Sequence, residues 1–173
     1  LLSNGRVIGV LTLTHGTRAG VFGERDLAQL NLLATNVSMN IENTRLYELS
    51  VSDGLTQLYN RRYFDKRFAE ELSYARRFRE AVSLCMIDID LFKSLNDAHG
   101  HQTGDLVLSR LASTMKENLR DYDILARYGG EEFALIAPNT PKRGASVVAD
   151  RLRQVVERLT VPRGVEDLHV TVS

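Results

Sequence analysis

Tryptophan is absent from this chain, and its 173 residues hold only one cysteine and three prolines. A lone cysteine, Cys85, excludes any internal disulfide. It sits in an apolar run, which reads as a buried thiol in a reducing compartment. An excess of one charge is missing too. The 22 basic and 22 acidic residues cancel, so no global field favours a nucleic acid polymer or an anionic membrane. No apolar run approaches the roughly 20 residues that cross a bilayer. No leader peptide is visible, because Leu1 reads as lying inside a strand; the chain reads as a piece of a longer protein. Repeats and low-complexity segments are also lacking. What remains is an ordinary globular composition, 43% hydrophobic, with length for one full domain and a fragment of another. Any nucleotide ligand must be held by local groups.

Residues 6–14 read as a strand, with Val10, Thr12 and Thr14 alternating on one face. A glycine-containing loop leads to a helix over about 24–49, with Glu24 and Asp26 in its first turn. Leu27, Leu30, Ala34, Val37 and Ile41 recur at steps of three and four. That spacing fits a coiled-coil seam and equally an amphipathic face packed on its own domain. A stretch rich in turn and capping residues, 50–60, marks a boundary. Beyond it, 61–79 reads as a helix with Phe64, Phe68, Leu72 and Ala75 on one stripe. Residues 81–89 are nearly all apolar, the mark of a central strand buried on both faces. Helices are expected over 92–98, 103–119 and 142–159. Strands are expected over 124–128 and 132–137, joined at Gly129-Gly130, a dipeptide that permits a tight primed turn, and over 168–172. The order β-α-β-β-α-β predicts an α+β, ferredoxin-like antiparallel sheet with packed helices.

Two acidic clusters lie where such a sheet can bring them together. Asp88 and Asp90 close a buried strand; Glu131 and Glu132 follow the glycine turn. Gathered carboxylates repel one another unless a cation neutralises them. Hard divalent ions such as Mg²⁺ prefer carboxylate and carbonyl oxygens and keep places open for phosphate. This is the arrangement that phosphoryl or nucleotidyl transfer needs. Lys93 could balance phosphate charge. Asn96 and Asp105 offer an amide and a carboxylate that suit guanine N1–H and N2–H₂, donors that adenine does not present as a pair. Gly100 and Gly104 suggest a tight bend or a close approach of the backbone. Taken singly, each of these residues also fits an ordinary solvated or capping role.

The segment Arg127-Tyr128-Gly129-Gly130-Glu131-Glu132-Phe133 resembles the signature of the GGDEF family of diguanylate cyclases, in its Gly-Gly-Glu-Glu-Phe form. Asp88-Ile-Asp-Leu-Phe-Lys93, Asn96-Asp97, Gly100-His101 and Gly104-Asp105 match a second family motif in order and spacing. Asp53-Gly-Leu-Thr56 with Leu58-Tyr-Asn-Arg-Arg62 matches a third. The resemblance covers residues 50–173. It implies a palm-like nucleotide-cyclase domain that condenses two GTP into cyclic di-GMP and releases pyrophosphate. Such a domain uses Mg²⁺ or Mn²⁺, acts as a homodimer and works in the cytoplasm.

The resemblance also implies roles. Asp88, the Ile89 carbonyl and Glu131 hold the metal. Glu131 or Glu132 deprotonates the attacking hydroxyl. The Leu91 and Phe92 amides and Lys93 meet the phosphates, Gly129 and Gly130 leave room for the ligand, and Asn96 and Asp105 read guanine with His101 nearby. Asp90 and Asp97 read as structural. Arg120 and Asp123 form the Arg-x-x-Asp pattern of members under product inhibition, and Arg151 matches a position that completes that site. The family continues past Ser173 with a further strand and a basic helix, so the domain is expected to be cut short here. Residues 1–49 resemble the C-terminal end of a GAF sensor domain running into a signalling helix. An alternative is a silent domain that binds GTP or cyclic di-GMP as a receptor; the retained acids argue for the enzyme.

Overall fold

The computed structural model describes residues 1–3, 6–17, 20–163 and 166–173. They divide into two compact units, Leu1–Ser50 and Val51–Ser173.

In the first unit, β1 (Leu2–Ser3) pairs antiparallel with β2 (Arg6–Val7). The strand expected over 6–14 therefore ends early. The last rungs are Ile8 N–H to the Leu1 carbonyl at 3.0 Å and the Leu1 amino group to the Gly9 carbonyl at 2.9 Å. Beyond them no strand among the described residues offers a partner, and Val10 is 84% exposed. A strand without a neighbour leaves its peptide groups to water. Helix α1 (Glu24–Val51) follows, capped by the Asp26 carboxylate, which accepts from Gly23 N–H. Its covered stripe runs Asp26, Leu30, Ala34, Ser38, Glu42 at steps of four. Of the expected seam, Leu27, Val37 and Ile41 stay exposed.

In the second unit, β3 (Tyr59–Asn60) leads into α2 (Arg61–Phe78), whose N-terminus is capped by the Asn60 side chain accepting from Tyr63 N–H. Arg79 closes the helix in the left-handed region. Then come β4 (Val82–Asp88), α3 (Phe92–His99) and α4 (His101–Glu117). They are followed by β5 (Ile124–Arg127), β6 (Glu132–Pro138) and α5 (Lys142–Glu157). Strands β7 (Thr160–Arg163) and β8 (Glu166–His169) form a separate antiparallel pair. The main sheet has the order β3-β5-β6-β4, and Ile89 bridges Val172 beyond β4. Setting β3 aside, that is the expected ferredoxin-like arrangement.

The strand expected over 168–172 is split. Its first part pairs with β7, while Asp88 exchanges both main-chain hydrogen bonds with Ser173.

Strand β6, not β4, is buried on both faces. Phe133 and Leu135 enter one cluster with α4 and α5; Ala134 and Ile136 enter the other with Phe64 and Phe68 of α2. Each such large side chain contributes roughly 1.5–3 kcal/mol when fully buried. Strand β4 has a ladder partner on one side only along most of its length. Leu84 and Met86 are accordingly 44% and 50% exposed. Cys85 between them is half-buried, and burial pushes its thiol pKa up.

Candidate active site

Register decides what the acids can do. Asp88 of β4 stands directly opposite Glu132 of β6, so both acidic clusters meet at one end of this strand pair. Asp88 N–H and C=O turn outward to Ser173, and Asp90 N–H turns to Thr171 at 3.0 Å. Alternation then turns the Ile89 carbonyl the other way, toward the loop that carries Glu131. Ile89 itself is 1% exposed and anchors this corner in the core. The Asp90 carboxylate accepts from the Thr171 hydroxyl at 2.6 Å.

The glycine hairpin does not take the primed turn that its dipeptide permits, because neither Gly129 nor Gly130 has a positive φ. Tyr128 and Gly129 N–H both donate to the Glu132 carbonyl, at 2.8 and 3.1 Å. A Cβ on Gly129 would collide with the Glu132 carboxylate, whereas Gly130 has nothing within 4 Å. The first glycine makes room for an acid, and the second leaves open space.

Leu91, 80% exposed and left-handed at φ 57°, turns the chain from the acids into α3. Its first turn leaves main-chain N–H groups without intrahelical partners. Lys93 is exposed there and Phe92 is buried. Gly100, at φ 81°, makes the corner into α4, where His101 and Asp105 are exposed. Asn96 packs against Gly104. A Cβ at Gly104 would strike the Asn96 amide oxygen, which is buried without a hydrogen-bond partner.

Two carboxylates and a main-chain carbonyl suit a hard divalent cation. Among the described residues, no three His, Cys, Asp or Glu side chains cluster to hold an ion unaided. The donor set therefore fits an ion that arrives with phosphate oxygens as further ligands.

Arg120 and Asp123 lie at the opposite end of β5. The Asp123 carboxylate accepts from Arg120 N–H at 3.0 Å, and Asp123 N–H returns to the Arg120 carbonyl. The Arg120 guanidinium donates to the Tyr122 hydroxyl at 2.9 Å rather than pairing with Asp123. Arg151 stands exposed on α5, with no hydrogen bond or ion pair to either among the described residues.

Sequence reasoning assigned no role to Asp53 or Arg127. The Asp53 carboxylate accepts from Thr56 N–H and hydroxyl, at 2.9 and 2.8 Å, and from Arg127 Nη1 at 3.3 Å. Burial alone would raise the Asp53 pKa. Thr56 and then Arg127 outweigh it and hold the carboxyl below its ordinary value. The only signal was a pair of opposite charges in two motifs, and spacing cannot join residues so far apart.

A profile described as "Diguanylate cyclase, GGDEF domain" matches residues 50–173. Diguanylate cyclase A of Treponema denticola is 34% identical over 177 aligned positions, covering 100% of this chain and 48% of that protein. Among solved structures, diguanylate cyclase SiaD of Pseudomonas aeruginosa, in complex with its activator SiaC, superposes with a TM-score of 0.72. It is 40% identical and covers 86% of this chain and 58% of that one. The GGDEF domain of DgcB from Caulobacter crescentus, in complex with c-di-GMP, gives 0.68 at 37% identity, covering 72% of each chain. The chain thus spans about half the length of the T. denticola relative.

Proposed function

The chain belongs to the GGDEF domain family of diguanylate cyclases, and on that premise we propose that the whole protein joins two GTP molecules into cyclic di-GMP. The observation that carries this reading is the Asp88–Glu132 register, which sets both acidic clusters beside the start of α3.

The 3′-hydroxyl of one GTP attacks the α-phosphorus of the other. One O–P bond forms as the bond to pyrophosphate breaks, and the hydroxyl proton passes to Glu131 or Glu132. The same step in the opposite sense closes the ring, so two domains must face each other, each holding one GTP. Leu91 and Phe92 N–H and Lys93 hold the phosphates. Asn96 and Asp105 select guanine, with His101 beside the nucleotide. A divalent ion, Mg²⁺ or Mn²⁺, held by Asp88, the Ile89 carbonyl and Glu131, would polarise the phosphate and favour ionisation of the hydroxyl.

Cyclic di-GMP also returns to Arg120, Asp123 and Arg151 as an inhibitor. Among the described residues the Arg120 guanidinium has no carboxylate partner to leave, which supports that role. Residues 1–49 serve as the end of a GAF-like sensor domain with its signalling helix. The exposed Leu27, Val37 and Ile41 leave a seam for a second copy. The unpaired Cys85 thiol suits a cytoplasmic setting. No helix among the described residues is long and apolar enough to cross a membrane.

The test is incubation of the full-length protein with GTP and Mg²⁺, read by mass spectrometry. Cyclic di-GMP should form, and Glu131→Ala should remove it. Absence of product from the unaltered full-length protein overturns the reading.

A further inference from the structure

The glycine hairpin carries Glu131 and is not a primed turn. Its support comes from outside. Arg127 Nε and Nη2 both donate to the Gly130 carbonyl, at 3.2 and 2.8 Å. The third nitrogen of the same guanidinium, Nη1, reaches the Asp53 carboxylate at 3.3 and 3.5 Å. Asp53 is fixed in turn by Thr56, a buried residue, and by its own N–H donating to the Leu58 carbonyl at 2.8 Å. A second point holds the loop two residues earlier, at Tyr128. The Arg61 guanidinium lies 4.5 Å over the Tyr128 ring, and Phe64 meets that ring edge-on at 5.7 Å.

From this geometry we infer that Arg127 and Asp53 are positioning residues for the reaction: the Asp53–Arg127 pair sets the Gly130 carbonyl, and through it places Glu131. The inference rests on the catalytic reading of Glu131 above. A planar guanidinium suits the task, because one rigid fork can bind a carbonyl and a carboxylate at once. Lysine carries its three donors on one nitrogen and lacks the fork that spans the two acceptors. The pair also ties the hairpin to the segment that directly follows α1. It touches neither Asn96 nor Asp105, so guanine recognition lies outside its reach. Its loss should therefore fall on turnover rather than on substrate affinity.

The experiment uses the full-length protein. Arg127→Ala should lower kcat about 10- to 100-fold, the scale of a misplaced reacting group, with KM for GTP changed less than about threefold. Arg127→Lys should recover only part of that loss. Asp53→Asn should lower kcat by less. The double variant Asp53→Asn/Arg127→Ala should be no worse than Arg127→Ala alone, because the two act as one unit. Amide hydrogen exchange read on the peptide covering Tyr128–Glu131 should quicken in Arg127→Ala and in Asp53→Asn, whether or not the protein is active. Wild-type kcat in Arg127→Ala, a loss confined to KM, or additive effects would overturn the inference. So would unchanged exchange across the hairpin. If wild-type protein makes no cyclic di-GMP the catalytic reading fails first, and the exchange result still decides whether the brace exists.

Discussion

The two turns that flank β5 are built on opposite plans. At one end, Arg120–Asp123 is self-contained: carboxylate, main-chain and guanidinium contacts all stay within four residues. At the other end, the loop 128–131 has two main-chain bonds to Glu132, and it is held from outside by Arg127, itself bound to Asp53, and by Arg61 and Phe64 at the Tyr128 ring. A self-contained turn keeps its shape whatever happens elsewhere in the domain. An externally braced one takes its shape from distant segments. The turn of the proposed inhibitor site thus holds its own shape, while Glu131, proposed to react, sits on a loop whose geometry depends on the rest of the fold.

The largest expected effect falls on the braced loop. Glu131→Ala should cut cyclic di-GMP formation by about 100-fold or more, the scale of removing a proton acceptor. Its melting should move little, because a half-exposed glutamate with no core contact contributes within about 0.5 kcal/mol. Initial rates and a thermal melt on the same sample check this. Wild-type rates would remove Glu131 from the site. At the self-contained turn the corresponding change is Arg120→Ala. It should weaken inhibition by added cyclic di-GMP about 10- to 100-fold, the loss of one or two charge-assisted hydrogen bonds. An unchanged inhibition curve would reduce that turn to a structural feature.

The same contrast explains what the sequence shows and what it hides. The Arg120-x-x-Asp123 pattern is legible because all its partners are local. So are the α2 cap at Asn60 and the corner at Gly100, each fixed by a residue type suited to its backbone. The meeting of Asp88 and Glu132 is legible from the fold class, since a hairpin tip and a neighbouring strand end share one edge. The brace is not legible, because Arg127 and Asp53 are 74 residues apart and nothing in their spacing records the contact. Burial also misleads along β4. An apolar run reads as a central strand, but hydropathy does not say which strand stands in the middle. Here the answer is β6, whose five residues Phe133–Ala137 are nearly inaccessible. The primed turn fails for a related reason. Gly129 is needed to clear the Glu132 carboxylate, not for a positive φ.

A third corner tests whether a missing side chain can serve as a brace. Between α3 and α4, Asn96 occupies the space that a Cβ on Gly104 would fill, and Phe92 Cζ lies 3.1 Å from the same point. Gly104→Ala should cost about 1–3 kcal/mol through overpacking and displace the Asn96 amide. Its kinetic signature should be a raised KM for GTP, opposite to the turnover loss expected at Arg127. A normal KM would mean that Asn96 does not read the base.

The smallest effect concerns charge in the brace, and its sign can be worked out in advance. The Asp53 carboxyl is held below its ordinary value in the folded state, while in the unfolded chain it titrates near 3.9. A depressed folded value means the ionised carboxylate adds stability above about pH 3.9. That contribution disappears as pH falls through the folded value. Asparagine still accepts from Thr56 but carries no charge for Arg127. Asp53→Asn should therefore unfold about 1 kcal/mol more easily at pH 7. Urea melts should show the same gap at pH 5 and a smaller one at pH 3, below the unfolded value, where part of the ionised carboxylate's contribution is already lost. A gap that persists undiminished at pH 3 would mean that packing, not the carboxylate charge, holds the turn at Asp53 against Arg127.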